Sequence, residues 1–218
     1  MAVRWLSHTE VYFPFLDESP EFRRDVLDAL RQPLESGSVQ VARAHGAVRF
    51  PARFQLVLAA NPCPCGLLVG KGERCRCSVV ARRSYLARLS GPLMDRIDVQ
   101  LQVRAVTKAA LAGPPGEGSA AVATRVLEAR ERQRRRWHGR PWRLNAQAPG
   151  AVLRGIELRL PSEATKPLEI QLDRGQLTLR GYDRCLRLAW TLADLRGETR
   201  PGPPHVLEAL GLRTAQAA

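Results

Sequence analysis

Apolar residues form two continuous runs in the first half of the chain, and each run predicts a buried strand. The first run covers residues 11–16 and ends at two adjacent carboxylates, Asp17 and Glu18. The second covers residues 54–60, is apolar apart from Gln55, and ends at Asn61. Buried strands of α/β sheets are continuous apolar runs, and such sheets bind ligands at the carboxyl ends of their strands. The polar residues after both runs are therefore expected at one ligand-binding edge.

Shorter patterns predict the elements around these two runs. Apolar residues recur every fourth position from residue 22 to residue 34, between Ser19 as a helix cap and Gly37 as a helix end. Apolar and polar residues alternate on both sides of residues 45–46, which predicts a β-hairpin with its turn there. Further on, the patterns predict a helix over residues 78–89 and a strand over residues 98–103.

The second half of the chain is predicted to be helical. Residues 112–118 have the glycine- and proline-rich composition of a linker. Helices are expected over residues 119–137, 179–195 and 205–212. Residues 139–175 show no clear period. The sequence therefore predicts an α/β domain over residues 1–110 and a helical lid domain over residues 111–218.

Composition adds a partner class and a location to this outline. Lys and Arg number 34 against 21 Asp and Glu, a net charge of +13. This balance favours nucleotides or nucleic acids as partners, although a solvated basic surface gives the same count. There is no run of about 18 apolar residues, and Arg4, His8 and Glu10 interrupt any signal-peptide core. A cytoplasmic protein without membrane partners is expected.

Four of the five cysteines form two close pairs. Cys63 and Cys65 are separated from Cys75 and Cys77 by nine residues. Four thiolates suit tetrahedral zinc, but one residue within each pair is shorter than the usual spacing. Zn²⁺ and a set of free thiols therefore both remain open.

The glycine-rich segment between the cysteine pairs does not form a phosphate-binding loop. A Walker A loop has four residues between its glycines and a Ser or Thr after its Lys. Only three residues separate Gly66 from Gly70, and Gly72 follows Lys71.

Two groups of arginines suit polyanions. Arg96 lies between Asp95 and Asp98, and a planar, permanently charged guanidinium suits a phosphoryl transition state. A local ion pair is the alternative. The predicted helix after the linker is rich in arginine and is followed by Trp137 and Trp142. Phosphate binding with base stacking and a solvated lid surface are both compatible with that pattern.

Several ordered motifs together resemble the magnesium-chelatase-like AAA+ ATPases, and within them the ComM (YifB-like) competence group. The motifs are FLDESPEF at 15–22, LRQPLE at 30–35, ANPCPCG at 60–66 and SGPLMDRID at 90–98, with YDR at 182–184 and TLADL at 191–195 in the lid. The resemblance implies a partial AAA+ P-loop-type core, a parallel sheet with helices, followed by an α-helical lid.

The resemblance also implies roles for individual residues. Asp17 would be the Walker B residue that holds Mg²⁺, and Glu18 the catalytic carboxylate. Asn61 would be sensor 1, and Arg96 the arginine finger that acts on a neighbouring subunit.

In the lid, Arg180 is the first candidate for sensor 2 and Arg184 the second. The implied substrate is ATP, and the implied assembly is a homo-hexameric ring. In the ComM group, hydrolysis is associated with DNA processing during natural transformation, whereas the chelatase branch drives metal insertion into a porphyrin. A further alternative is a non-catalytic zinc-bearing module that docks on intact AAA+ subunits.

The chain departs from the family pattern in two respects. The family's Lon-protease-like region and Walker A segment, which precede Walker B, are not among these residues. Glu10, Pro14 and Ser19 are also unusual around Walker B. We therefore expect the C-terminal half of such a protein, which would be inactive in isolation.

Overall fold

A computed structural model describes residues 3–8, 11–43, 46–70 and 72–214. The chain divides into two units. The first extends to Ile97 and includes Val103–Ala105. The second contains Asp98–Gln102 and the residues from Val106 onward.

The first unit combines short strands with short helices. Its strands are β1 (Val3–His8), β2 (Val11–Leu16), β3 (Ser38–Arg43), β4 (Gly46–Pro51) and β5 (Val57–Leu58). Its helices are α1 (Arg24–Ala29), α2 (Arg31–Ser36), α3 (Val79–Leu86) and α4 (Gly91–Met94). One sheet has the order β1-β2-β5, with β1 antiparallel and β5 parallel to β2. The strands β3 and β4 form the predicted hairpin, whose turn residues 44–45 lie outside the described part.

The predicted strand over residues 11–16 is confirmed, but the one over residues 54–60 is shorter than expected. The amide of Gln55 donates to the Tyr12 carbonyl and that of Ala59 to the Leu16 carbonyl, each at 2.9 Å. The backbone groups of residues 12 and 16 therefore face β5. Because backbone groups alternate in direction along a strand, those of Pro14 face β5 as well. Proline has no N–H to donate, which explains why regular pairing is confined to Val57–Leu58.

The predicted helix after Ser19 is interrupted, and Ser19 is not its cap. A 3₁₀ turn, Ser19–Glu21, precedes α1, and α1 is separated from α2 at Leu30. Pro33 in α2 cannot donate to a carbonyl in α1, which accounts for the break. Gly37 ends α2 as predicted, with φ +64° in the left-handed region that glycine adopts readily.

The predicted strand over residues 98–103 is wrong. These residues form neither strand nor helix, and the side chains of Leu101 and Val103 are 71% and 95% exposed. Within the described residues the sheet contains no partner strand for them. Alternation alone does not hold a strand without such a partner.

The second unit is helical and has the larger core. Its helices are α5 (Lys108–Leu111), α6 (Ser119–Arg136), α7 (Gly150–Leu153), α8 (Ser162–Asp173), α9 (Leu179–Arg196) and α10 (Pro203–Thr214). Helices α6, α9 and α10 match the predictions to within two residues at each end. Residues 139–175, which show no clear period, contain α7, α8 and a 3₁₀ turn. Leu186 and Trp190 of α9 are buried in the centre of this core.

A buried ion pair joins α6 to α9. The guanidinium of Arg136 donates to both carboxylate oxygens of Asp194, at 2.6 and 2.8 Å, and lies over the Trp190 ring. Asn145 donates to the same carboxylate at 2.9 Å. Its carbonyl oxygen accepts from Arg136 and from the Trp137 indole, both at 3.1 Å. Arg136 therefore holds the helical unit together and is not part of a free basic surface.

In the part of the chain that the structure describes, no helix is both long enough and apolar enough to span a bilayer.

Candidate nucleotide site and cysteine cluster

The two carboxylates after β2 lie in a tight turn with an unusual backbone. Glu18 has φ +52° and ψ +42°, and it is the one non-glycine residue with positive φ among the described residues. Its amide donates to the Asp17 carboxylate at 2.9 Å. A left-handed conformation costs a residue with a Cβ about 1–2 kcal/mol and concentrates at functional sites. The turn leaves both side chains exposed.

Ser19 connects this turn to the end of β5. Its amide and its hydroxyl both donate to the Ala59 carbonyl, at 2.8 and 2.9 Å, and the side chain is fully buried. Asn61 follows Ala59 by two residues and is exposed. Asp17, Glu18 and Asn61 are therefore brought to the same edge of the sheet.

Tyr85 is part of this region, although the sequence pattern did not indicate it. Its side chain is buried in α3 and lies beside the backbone of Asn61. Burial, followed by the charge of Glu21, raises the pKa of Tyr85, and the nearby Glu18 and Cys63 act in the same direction. A single aromatic residue in an arginine-rich helix was the only feature of the sequence that could have indicated it.

Arg88, just after α3, forms a second connection. Its guanidinium donates to the Pro20 carbonyl at 3.0 Å and to the Glu21 carboxylate at 3.2 Å. The segment that carries α3 thus lies beside the end of β5 at Tyr85, and it bonds to the turn after the carboxylates through Arg88.

Arg96 is held within its own unit. It donates to the Pro92 carbonyl at 2.7 Å and forms an ion pair with Glu35, and its side chain is 10% exposed. Arg96 is thus in an ion pair, but not in the local one considered from the sequence, because its partner is Glu35 of α2.

The two sensor 2 candidates lie in the first half of α9, in the second unit. Arg180 is exposed in its first turn. Arg184 forms an ion pair with Asp98, which belongs to the same unit, and its side chain is 12% exposed.

The four cysteines converge. The Sγ atoms of Cys63, Cys65 and Cys75 lie 3.4, 3.6 and 3.7 Å apart, and all four sulfurs, including that of Cys77, are within 4.8 Å of one another. Tetrahedral zinc with Zn–S bonds of about 2.3 Å requires sulfurs about 3.8 Å apart. The geometry fits a single tetrahedral ion.

The thiols in this cluster are not equivalent. Burial raises the pKa of Cys63, but hydrogen bonds from Cys65, the Leu68 backbone and Cys75 outweigh it and lower the value to about 6. Its hydrogen bond with Cys65 raises the pKa of Cys77 to about 11. The arrangement therefore favours a thiolate at the buried end of the cluster. The fifth cysteine, Cys185, lies in the other unit, where burial raises its pKa to about 11.

Most arginines of α6 that have a described ion pair find their acidic partner within the helix or just before it. Arg134 and Arg135 both pair with Glu131, at 2.8 and 3.0 Å. Arg125 pairs with Glu117 at 2.6 Å. These pairs are compatible with the solvated-surface alternative for this helix.

An α/β unit whose small mixed sheet contains one parallel strand pair, followed by a helical unit, fits a partial AAA+-like architecture. Two family models match the chain: "Magnesium chelatase, subunit ChlI" over residues 6–111 and "Magnesium chelatase, subunit ChlI C-terminal" over residues 116–213. The chain belongs to this magnesium-chelatase-like family, as the resemblance of its motifs indicated.

Its curated relatives include the competence protein ComM of Haemophilus influenzae, which is 43% identical over 201 residues, 91% of this chain and 38% of the relative. The protein YifB of Escherichia coli is 40% identical over 210 residues, 95% of this chain and 40% of the relative. A Mycobacterium tuberculosis protein is 46% identical over 203 residues, 93% of this chain and 40% of the relative. The chain thus spans about two fifths of the length of these relatives.

Proposed function

We propose that this chain is the Walker B, sensor and lid portion of a Mg²⁺-dependent AAA+ ATPase. The observation that carries the proposal is the shared edge of β2 and β5. The Asp17–Glu18 turn follows β2, Asn61 follows its parallel neighbour, and Ser19 bonds to Ala59 between them. Acidic and amide side chains at the carboxyl ends of adjacent parallel strands suit a nucleotide phosphate with its metal ion.

The conformation of the turn supports separate roles for the two carboxylates. Asp17 accepts the Glu18 amide with one oxygen, which fixes its side chain and leaves the other oxygen for Mg²⁺. Bound there, Mg²⁺ would neutralise charge on the phosphate oxygens. Glu18, turned out of the strand direction by its positive φ, would orient or deprotonate the attacking water, and Asn61 would position that water.

The arginine finger and sensor 2 residues assigned by resemblance would act by exchanging a carboxylate partner for a phosphate. Arg96 would leave Glu35 to reach a phosphate in the neighbouring subunit, and Arg184 would leave Asp98. Arg180, exposed in the first turn of α9, would be the other sensor 2 candidate. A carboxylate partner keeps a guanidinium ordered in the absence of nucleotide, and a phosphate replaces that partner with similar geometry. Such exchange presupposes a ring of subunits, and we propose a homo-hexamer in the cytoplasm.

We further propose that the ATPase acts in DNA processing. The related protein of Haemophilus influenzae is named a competence protein, and the net charge of +13 suits a polyanion. On this proposal the ATPase core ends near residue 110, and residues 111–218 form the lid.

Two alternative functions are each supported by a separate observation. The cysteine geometry favours a non-catalytic zinc-bearing module that docks on intact AAA+ subunits. The names of the matching models favour a chelatase-type subunit.

A chimera tests the ATPase proposal. These 218 residues replace the region that they match in Haemophilus influenzae ComM, and ATP hydrolysis is compared with that of the Glu18→Gln form. We expect turnover that depends on Glu18 and on Mg²⁺, and an Arg96→Ala form with a rate lower by about 10³-fold or more. Equal rates with and without the Glu18→Gln substitution, from a chimera that assembles, would favour the non-catalytic module.

A further inference from the structure

The cysteine cluster lies between two elements that both contact the candidate nucleotide site. Cys63 follows Asn61 by two residues at the end of β5. Cys77 directly precedes Ser78, whose hydroxyl caps α3 by accepting the Ala81 amide at 3.1 Å. We propose that the four cysteines bind one Zn²⁺ ion that fastens the carboxyl end of β5 to the start of α3.

The geometry distinguishes a metal site from a pair of disulfides. A disulfide brings two sulfurs to about 2.05 Å and leaves the pairs otherwise independent. Here the thiols of Cys63, Cys65 and Cys75 are mutual neighbours at 3.4–3.7 Å, and the sulfur of Cys77 completes the group. Four sulfurs around one centre are the ligand set of a closed structural zinc site.

The turn at the first cysteine pair has the backbone that such a site requires. Gly66 has φ +71°, and its amide donates to the Cys63 carbonyl at 3.1 Å. This tight turn brings Cys65 back toward Cys63 after a single intervening residue. The short spacing that weakened the zinc prediction is thus accommodated by a left-handed glycine directly after the second cysteine.

The segment between the cysteine pairs has little else to hold it. Leu67 and Val69 are 41% and 50% exposed, and no helix or strand forms between Leu58 and Val79 (Lys71 lies outside the described residues). A loop without a hydrophobic core depends on a crosslink or a metal for its structure. The convergence of four thiols on one point in such a loop is the observation that carries the inference.

The proposed ion would also affect the geometry of the candidate site. Helix α3 begins at the cluster, and Tyr85 in its last turn lies beside the backbone of Asn61. Arg88 then bonds to the Pro20 carbonyl, three residues after Asp17. A metal that fixes the start of α3 therefore also restrains the positions of Asn61 and of the acidic turn. This inference does not depend on the proposed ATPase activity, since zinc and backbone protection are measured without nucleotide.

The first experiment measures metal directly. The 218-residue chain is purified under reducing conditions, and we expect about one Zn²⁺ per chain. Replacement by Co²⁺ should give the strong visible absorption of tetrahedral thiolate-bound cobalt. The Cys63→Ser/Cys75→Ser double variant should lose both, and Cys185→Ala, which alters the thiol outside the cluster, should retain both. Substoichiometric zinc in the wild-type chain, or full retention in the double variant, would overturn the proposal.

The second experiment tests the link to the site. Removal of zinc from the wild-type chain by a chelator should raise amide hydrogen exchange about tenfold or more in α3 and around residues 57–62. Exchange in α9 should not change, and zinc addition should restore protection. Because no residue is altered, misfolding of a variant cannot produce this result. Unchanged exchange around Asn61 after complete zinc loss would refute the positioning role, even if zinc binds.

Discussion

The two units of this molecule are stabilised in different ways. In the helical unit, α9 buries Leu186 and Trp190 in an extensive core, and the Arg136–Asp194 pair is enclosed within it. The described core of the first unit is much smaller and centres on Leu16, Leu27, Leu56 and Leu93. There, hydrogen bonds join the ends of β2 and β5, and the four thiols would stabilise the chain through the proposed zinc ion. The helical unit therefore has a self-sufficient core, whereas the first unit depends on a few specific bonds around its candidate site.

The largest effect is expected at the buried ion pair of the helical unit. Asp194→Ala leaves the Arg136 guanidinium buried without its carboxylate, and such a change costs about 3–5 kcal/mol. Urea unfolding followed by tryptophan fluorescence, to which Trp137, Trp142 and Trp190 of this unit contribute, measures the loss. Glu131→Ala is the matched control, because Glu131 pairs with two exposed arginines on the same helix, α6. Equal destabilisation by the two variants would show that the buried pair has no special role.

The second prediction concerns the smaller core. Leu93 is fully buried, and Leu93→Ala removes about 2–5 kcal/mol from the first unit through lost transfer free energy and a cavity. A similar loss is expected for Leu186→Ala in the helical unit. Hydrogen exchange distinguishes the two: Leu93→Ala should deprotect α3 and β2, and Leu186→Ala should deprotect α9. Deprotection of both units by either variant would contradict the separation drawn above.

The third prediction concerns the bond between the two strand ends. Ser19→Ala removes the buried hydroxyl that donates to the Ala59 carbonyl, while the amide of residue 19 still donates there. The expected cost is about 0.5–1.5 kcal/mol. Ser36→Ala is the control, because Ser36 bonds locally to the Gln32 and Ser38 carbonyls. Exchange at the Ala59 amide should rise in Ser19→Ala alone; an equal rise in Ser36→Ala would argue against a specific connection.

The sequence predicted the helical unit better than the first unit, for a physical reason. Helix α9 has its period, its Thr178 cap and its Gly197 end within one local segment. The strand predicted over residues 98–103 depended on a partner that the alternation of Val99, Leu101 and Val103 cannot specify. Local patterns thus predicted α9 and the β3–β4 hairpin, whereas a strand that needs a distant partner was not predicted reliably.

The carboxylates and cysteines of the candidate site were singled out from the sequence, because neighbouring acidic residues and closely spaced cysteines are visible there. Tyr85 was missed, since its role depends on α3 packing beside Asn61. Glu35 was missed as the partner of Arg96 because 61 residues separate them. Ser19 was predicted to cap a helix by accepting a backbone amide, and only the arrangement of β2 beside β5 makes its hydroxyl a donor to the Ala59 carbonyl.

The smallest effect is expected at Glu18, and it should have the opposite sign. Because Glu18 has φ +52°, Glu18→Gly relieves the contact between its Cβ and the backbone. Glu18→Ala keeps the Cβ and therefore the strain, which makes it the matched control. The strain that glycine relieves is about 1–2 kcal/mol, and the added entropy of its unfolded chain offsets about 0.4–1 kcal/mol of this. The glycine variant should therefore be more stable than the alanine variant by up to about 1.5 kcal/mol. In the chimera with ComM, both variants should lose hydrolysis equally, because both lack the carboxylate. A glycine variant that is less stable than the alanine variant would mean that the left-handed turn forms without strain. A difference in hydrolysis between them would mean that the backbone of the turn, and not the carboxylate, is what catalysis requires.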